Sequence, residues 1–437
     1  MEEMGQILSI AAPVFVVLVM IEWIISYFIG IKVANSFDTI SSLSSGITNI
    51  LKSVLGIAIV IVSYDFMVTH FAVFELKAYW WVFVIAFVLD DFAGYWSHRF
   101  EHVINIFWNR HIIHHSSEEY NLACALRQDI SAIVGIFFFL YLPMAIVGVP
   151  VEVIAIIKPI QLFAQFWYHT RLINKMGFLE HIIVTPSHHR VHHAINDEYI
   201  DKNYAQIFIV WDKWFGTFQE ELADVPAVFG VKKPVKTWNP IIINYLHFWQ
   251  ILKDAWHTQN WYDKLRVWFM PTGWRPPDVI KKHPINSIKD VYNFEKYFTE
   301  GSLWFKAFCW FQFLVTATIT LFLFNQLANF SFVYLLLGGL FVVISIAAYT
   351  TLMDGHKTAL IAEIFKFVLG LALLITLGTW FNLDQYLPGA NYLMLAYLLL
   401  SLSFTAYFSL VRSETVTLSK AKTKASSNNI LKPLPHS

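Results

Sequence analysis

The chain has 437 residues with 31 basic and 31 acidic side chains, so it lacks the broad basic face that nucleic-acid binding requires. Apolar residues make up 57% and charged residues 14%, against about 45–50% and about 25% in soluble domains. Soluble-domain arithmetic therefore fails, and a polytopic, all-α membrane protein is expected. Two cysteines, Cys124 and Cys309, exclude a disulfide framework and a cysteine metal cluster.

In chain order, apolar runs predict about nine transmembrane helices: 6–31, 53–75, 79–96, 131–149, 151–168, 303–327, 332–350, 358–381 and 391–411. The first follows the acidic start Glu2-Glu3 and is long enough to span, unlike a cleavable signal. The fourth and fifth are separated by little more than Val147–Pro150 and read as a tight hairpin, 131–168. Four units follow: N-terminal membrane helices (1–96), a histidine-rich region (97–302) that contains the hairpin and a helical cap (169–302), C-terminal membrane helices (303–411), and a disordered tail (412–437) rich in Ser, Lys and Asn. Parity puts 97–130, the cap and the C-terminus on one side. The tail carries Arg412, Lys420, Lys422, Lys424 and Lys432, so the positive-inside rule makes that side cytoplasmic, in a bacterial inner membrane or the endoplasmic reticulum. The cap contains Trp211, Trp214, Trp238, Trp249, Trp256, Trp261, Trp268 and Trp274. Such aromatics mixed with Lys and Asp suit short helices on the headgroup layer and equally an ordinary amphipathic cap.

Of 17 histidines, 11 fall between His98 and His193. His98 and His102 form an H-x-x-x-H group; His111, His114 and His115, and likewise His189, His192 and His193, form H-x-x-H-H groups. On a helix, positions i, i+3 and i+4 share a face, so each group aims its imidazoles at one point. Neutral imidazole is the commonest nitrogen ligand of Zn, Cu, Fe or Ni. Eight imidazoles exceed the four positions of one tetrahedral zinc, and two metals are the simplest account. The nine residues from His102 to His111 would turn those groups to opposite faces of one straight helix. A bend near Asn105–Asn109, or a second helix, is therefore expected.

His169, at the emerging end of the fifth span, is a ninth candidate ligand. His188 adjoins the third group off its face and is a candidate for a supporting role. Asp91, two turns before His98, is placed to accept a proton from a ligand imidazole or is simply a helix-end charge. His70, His181, His247, His257, His283, His356 and His436 have no assignment. His98-Arg99-Phe100-Glu101-His102 also fits the H-x-x-E-H motif of inverted zinc proteases, but that reading leaves two groups unused. Bis-imidazole haem ligation would not need H-x-x-H-H. A metal transporter would place ligands along a mid-membrane pathway, whereas these groups sit at span ends and in loops. A nitrogen-rich site reached from lipid suits a substrate dissolved in the bilayer, and hydroxylating an unactivated C–H bond needs such a metal. The residues alone leave iron or zinc, oxidation or hydrolysis, open.

The strings YWSHRFEH (95–102), HIIHHSSEEYNLACALRQ (111–128), QFWYHT (165–170), TPSHHRVHH (185–193) and DKNYAQIFIVWDKWFGTF (201–218) together resemble the fatty acid hydroxylase/sterol desaturase superfamily of membrane non-haem diiron enzymes. The flanks of the second and last strings narrow the likeness to the alkylglycerol monooxygenase family. The resemblance is close over about 80–220. It implies that His98, His102, His111, His114, His115, His189, His192 and His193 are the essential metal-binding histidines of two iron ions. It also implies a lipid substrate from the bilayer, dioxygen as oxidant and tetrahydropteridine as reductant. Hydroxylation next to the ether oxygen of an alkylglycerol would then release a fatty aldehyde and glycerol. In that family a glutamate follows the second histidine of the first box; here Val103 stands there and Glu101 precedes the histidine. The alternatives are a fatty acid, sterol or carotenoid hydroxylase or desaturase, and, in another class, a membrane zinc hydrolase or metal transporter. Arg99, Arg127 and Arg190 are candidates to hold a phosphate or carboxylate, or to act as interfacial anchors.

Overall fold

The computed structural model describes residues 2–57 and 59–411, with side chains from Pro13 to Leu410. The tail 412–437, with the disorder expected of it and with His436, lies outside the described residues. The described residues are helical, with isolated bridges and no named strand. In chain order the α-helices are α1 (Glu2–Phe28), α2 (Ser36–Val54), α3 (Tyr64–Phe71), α4 (Trp80–Val103), α5 (Asn105–His115), α6 (Leu142–Val147), α7 (Val151–Phe166) and α8 (Pro186–His193). They continue with α9 (Val210–Trp214), α10 (Pro240–His257), α11 (Trp261–Arg266), α12 (Pro277–Lys282), α13 (Leu303–Asn325), α14 (Phe332–Met353), α15 (Ala359–Leu377) and α16 (Ala390–Val411).

Helices α13 to α16 are long and apolar enough to cross a membrane; Pro13–Phe28 and Ile136–Val147 are shorter apolar stretches. Two expected spans are not continuous helices. The run 53–75 breaks: α2 ends at Val54 and α3 holds only Tyr64–Phe71. The run 131–149 resolves into a short 3-10 stretch, Ile136–Tyr141, and α6. At 16 residues, α7 extends about 24 Å, short of the roughly 30 Å hydrocarbon core. Hydropathy also misses α2. Asn35 caps it by accepting from the amides of Phe37 and Asp38, and Asp38, Ser41, Ser42, Ser44, Ser45 and Thr48 are all buried. Phe37 packs edge-on against Phe305 at the start of α13, and Ser44 bonds the Tyr349 hydroxyl near the end of α14. Farther along, α2 presses on α14 so closely that a Cβ at Gly339 would lie 2.6 Å from Leu55.

The chain bends between the first two histidine groups, as their spacing requires. Ile104 is extended (φ −111°, ψ 123°) and separates α4 from α5. The broken ladder is repaired from the chain after α11: the Asn105 and Ile106 amides donate to the carbonyls of Met270 and Trp268 at 2.9 and 2.8 Å. The Asn105 side chain donates to Val267 O at 2.8 Å. The histidine group His189, His192 and His193 lies on α8, opened by Pro186 and by a capping box between Thr185 and His188.

Candidate metal centre

Nine histidines converge in two adjoining groups, each with its ligand atoms within 4.8 Å of one another: His98, His102, His111, His115 and His192, and His114, His169, His189 and His193. Helix α5 is shared between them. His111 and His115, one turn apart, face the first group, and His114 faces the second, so the H-x-x-H-H spacing divides between two points instead of serving one. The rings of His115 and His193 stack at 4.3 Å, where the groups meet.

Four rings have their protons placed by backbone carbonyls. Nδ1 of His98 donates to Tyr204 O at 2.7 Å, that of His114 to Arg127 O at 3.2 Å, that of His169 to Gln165 O at 2.9 Å, and that of His192 to Lys202 O at 3.0 Å. A carbonyl only accepts, so in the neutral ring Nε2 is left with a bare lone pair. Those Nε2 atoms point inward, and His114 and His169 set theirs 3.2 Å apart. His98 and His111 approach to 2.9 Å, His102 and His115 to 3.1 Å, and His189 lies 2.9 Å from His169 and 3.0 Å from His193. His192 Nε2 is buried with no partner. Burial holds the rings neutral: the imidazole of His114 is pushed down to about 3. Those of His169, His189, His192 and His193 lie well below their ordinary value, from burial first and neighbouring imidazoles second. Bare lone pairs facing each other repel unless a cation lies between them. Neighbouring nitrogens on an octahedral ion with bonds of about 2.1 Å are about 3.0 Å apart, the spacing these atoms have. The donor set thus fits borderline divalent metals, iron and zinc among them.

Two buried carboxylates build the carbonyl platform beneath the first group. Asp212 accepts from the amides of Tyr204 and Ala205, both at 2.8 Å, and from the Thr217 hydroxyl at 2.6 Å. Asp91 accepts from the amides of Ile207 and Phe208 at 2.9 and 3.0 Å and from the Trp211 indole at 2.8 Å. Asp91 therefore does not touch an imidazole, one of the two roles its spacing from His98 left open; it holds the loop that carries Tyr204. Asp201 and Asn203 flank Lys202 with φ of 59° and 56°, a conformation that Asp and Asn tolerate better than other side chains. This aims the Lys202 carbonyl at His192.

The other candidates separate. Glu101 pairs with Arg110 at 3.1 Å and approaches His111 Nδ1 at 3.6 Å; it is engaged inside the protein rather than poised over the centre as a protease glutamate would be. His188 accepts from the Thr185 amide at 3.4 Å and faces Glu180 at 3.9 Å, on the side of α8 away from the two groups. Arg127 spends its guanidinium on Asp38 at 2.7 Å and on Ser42 and Ser116, so the carboxylate it anchors is internal and its own carbonyl serves His114. Arg190 forks onto Glu221, and Arg99 donates to the Tyr95 hydroxyl at 3.1 Å. Sequence reasoning assigned nothing to Asp212, Asp38 or Asp201. An acid within the aromatic run around Trp211 and Trp214 was the available signal for Asp212, since a buried carboxylate must be satisfied by donors.

The fatty acid hydroxylase family model matches residues 83–217, which hold all nine histidines. The chain is 35% identical to human (Homo sapiens) alkylglycerol monooxygenase over 85% of its own length and 83% of the relative's. It is 32% identical to the alkylglycerol monooxygenase of Danio rerio over 94% and 90%, respectively, and 37% identical to that of Xenopus tropicalis over 63% and 61%. No solved structure matches it. Identity at this level along most of both chains, with the histidine region inside the match, makes this protein a membrane lipid monooxygenase that belongs to the alkylglycerol monooxygenase family of the fatty acid hydroxylase superfamily.

Proposed function

We propose that this protein holds two iron ions, one in each histidine group, and hydroxylates alkylglycerols at the carbon next to the ether oxygen. The observation that carries the reading is the inward set of Nε2 atoms at 2.9–3.2 Å, those of His98, His114 and His169 left bare by the carbonyls on their Nδ1. His98, His102, His111, His115 and His192 would hold one ion and His114, His169, His189 and His193 the other. Iron, when bound, supplies the dioxygen activation that side chains cannot. The chain's own residues keep the imidazoles neutral by burial, fix the tautomers of His98, His114, His169 and His192 through backbone carbonyls, and use Asp91 and Asp212 to hold the loop that carries two of those carbonyls, Tyr204 and Lys202. In the balanced reaction one oxygen atom enters the C–H bond. The other leaves as water with two electrons and two protons from tetrahydropteridine, and the hemiacetal breaks its C–O bond to give a fatty aldehyde and glycerol. The centre faces the cytoplasm in this reading, in keeping with the basic tail.

The test is iron content of detergent-purified protein together with aldehyde release from an alkylglycerol under a reduced pterin. About two irons per chain and stoichiometric aldehyde support it; one zinc, no iron and no aldehyde overturn it. A second reading is a lipid hydroxylase with another electron donor. It is favoured by Val103 standing where the family carries glutamate and by Glu101 being engaged with Arg110. Hydroxylated product without ether cleavage or pterin demand would select it.

A further inference from the structure

Helix α10 turns large apolar side chains outward, where a helix in water carries polar ones. Its outward stripe is Ile242, Tyr245, Trp249, Leu252 and Trp256, all exposed, with Trp256 at 81%. These positions recur every three or four residues and so form one face. Its inward face buries Ile243 and Ile251 together with two polar side chains, Asn244 and Asp254, at 0 and 2%. Both are satisfied there: Asn244 accepts from the Ile130 amide at 2.9 Å, and Asp254 takes both prongs of Arg275 at 2.7 Å. The pattern continues beyond the next turn, where Trp261, Tyr262, Leu265 and Phe269 are 66–76% exposed while Asp263 is buried. In water the hydrophobic effect disfavours so large an exposed apolar stripe, and an apolar face this long marks an interaction surface.

Cations border the stripe as they do on headgroup-level helices. Lys253 lies over Trp249 and Lys264 over Trp261, each at 5.7 Å, and Arg266 lies over Tyr262 at 4.7 Å. Lys264 also donates to the carbonyls of Ala255 and Trp256 and Arg266 pairs with Asp263 at 2.7 Å, which fixes these two cations beside their rings at the polar edge of the stripe. The helix also starts at a membrane boundary: Asn239, its cap, donates to Thr351 at 2.9 Å, two residues before the end of the spanning helix α14.

We infer that the α10–α11 hairpin lies in the headgroup layer of the bilayer, with this stripe in contact with lipid. Its other face grips the catalytic helix. His247 Nε2 donates to Asn105 O at 2.8 Å, the Phe248 amide donates to Asn109 Oδ1 at 2.8 Å, and the chain after α11 supplies the carbonyls that repair the α4–α5 break. The hairpin thus sets α5, with His111, His114 and His115, one helix layer, about 8–10 Å, above the lipid surface. The surface stands independently of which metal or lipid the centre takes.

The test is nitroxide labelling of single cysteines placed by Trp249→Cys, Trp256→Cys, Trp261→Cys and Phe269→Cys in full-length protein in nanodiscs of neutral and anionic phospholipid. Cys124 and Cys309 are buried, and Asp197→Cys, at a side chain 87% exposed, is the aqueous control. The expected result is that the four labels are broadened by dioxygen and shielded from a water-soluble nickel chelate, with the control reversed. Nickel broadening at all four equal to that at position 197 would overturn the inference. So would shielding from both reagents, which would mean that a protein partner covers the face. Circular dichroism and metal content of each variant confirm folding, and any variant that fails is replaced by Leu265→Cys or Tyr262→Cys.

Discussion

The polar cluster of the C-terminal bundle and the histidine centre are built on opposite principles. In the C-terminal bundle, Lys366 and Glu363, 1% exposed each, pair at 2.7 Å. Ser401 bonds both, donating to Glu363 and accepting from Lys366, each at 2.6 Å, while Gln312 accepts from the Tyr397 hydroxyl at 2.8 Å. Each donor there meets an acceptor, so the cluster closes on itself and ties α13, α15 and α16 together. In the histidine centre four rings spend their Nδ1 donors outward on carbonyls, and the Nε2 lone pairs this leaves face inward. A closed network needs nothing more to be stable, whereas an inward ring of acceptors requires a cation. Burial alone does not distinguish a site from a structural clamp; the balance of donors and acceptors does.

The largest test of that contrast is His192→Ala. It removes an Nε2 that is buried and unpartnered, and metal and turnover should be lost together, read by elemental analysis and product formation. Full metal occupancy at unchanged turnover would break the comparison. Next is Lys366→Ala, which strands Glu363 and should destabilise the fold by about 3–5 kcal/mol, read by thermal unfolding. The pair Lys366→Met with Glu363→Gln should recover most of that loss, and both should keep turnover per folded molecule. Equal destabilisation by the single and double variants would mean the cluster is more than a clamp.

Asp212→Asn and Asp91→Asn leave every imidazole in place and loosen the loop behind His98 and His192. Metal should still bind, with affinity or activity lower by about 10–100-fold, in a titration with a competing chelator. The smallest effect sits where α10 grips α5. Burial pushes the His247 imidazole down to about 4, so as pH falls below 6.5 the unfolded chain takes the proton first. The stability this ring contributes is complete above 6.5 and is lost as pH falls toward 4. The loss should reach about 1.4 kcal/mol by pH 5.5, measured as the difference between metal-loaded wild type and His247→Asn. A difference that does not change with pH would place the ring in water.

By itself the sequence determined the membrane class, the four C-terminal helices and the three in-register histidine groups, because each rests on local periodicity. Long apolar runs must be helical in lipid, and H-x-x-H-H can only gather its rings on a helical turn. It also required the bend between His102 and His111, from turn counting alone. The tertiary structure decided what depends on distant partners. The 53–75 run breaks because the preceding Ser-rich stretch already packs as α2 against α13 and α14, a helix that hydropathy cannot see since its hydroxyls are satisfied internally. Asp91 reaches a loop more than a hundred residues away rather than the histidine two turns ahead. His169 enters the second group only because α7 ends beside α8, and His114 parts from its neighbours because a helical turn with histidines on both flanks can serve two points at once. Spacing reports which side chains share a face, but only packing determines what that face meets.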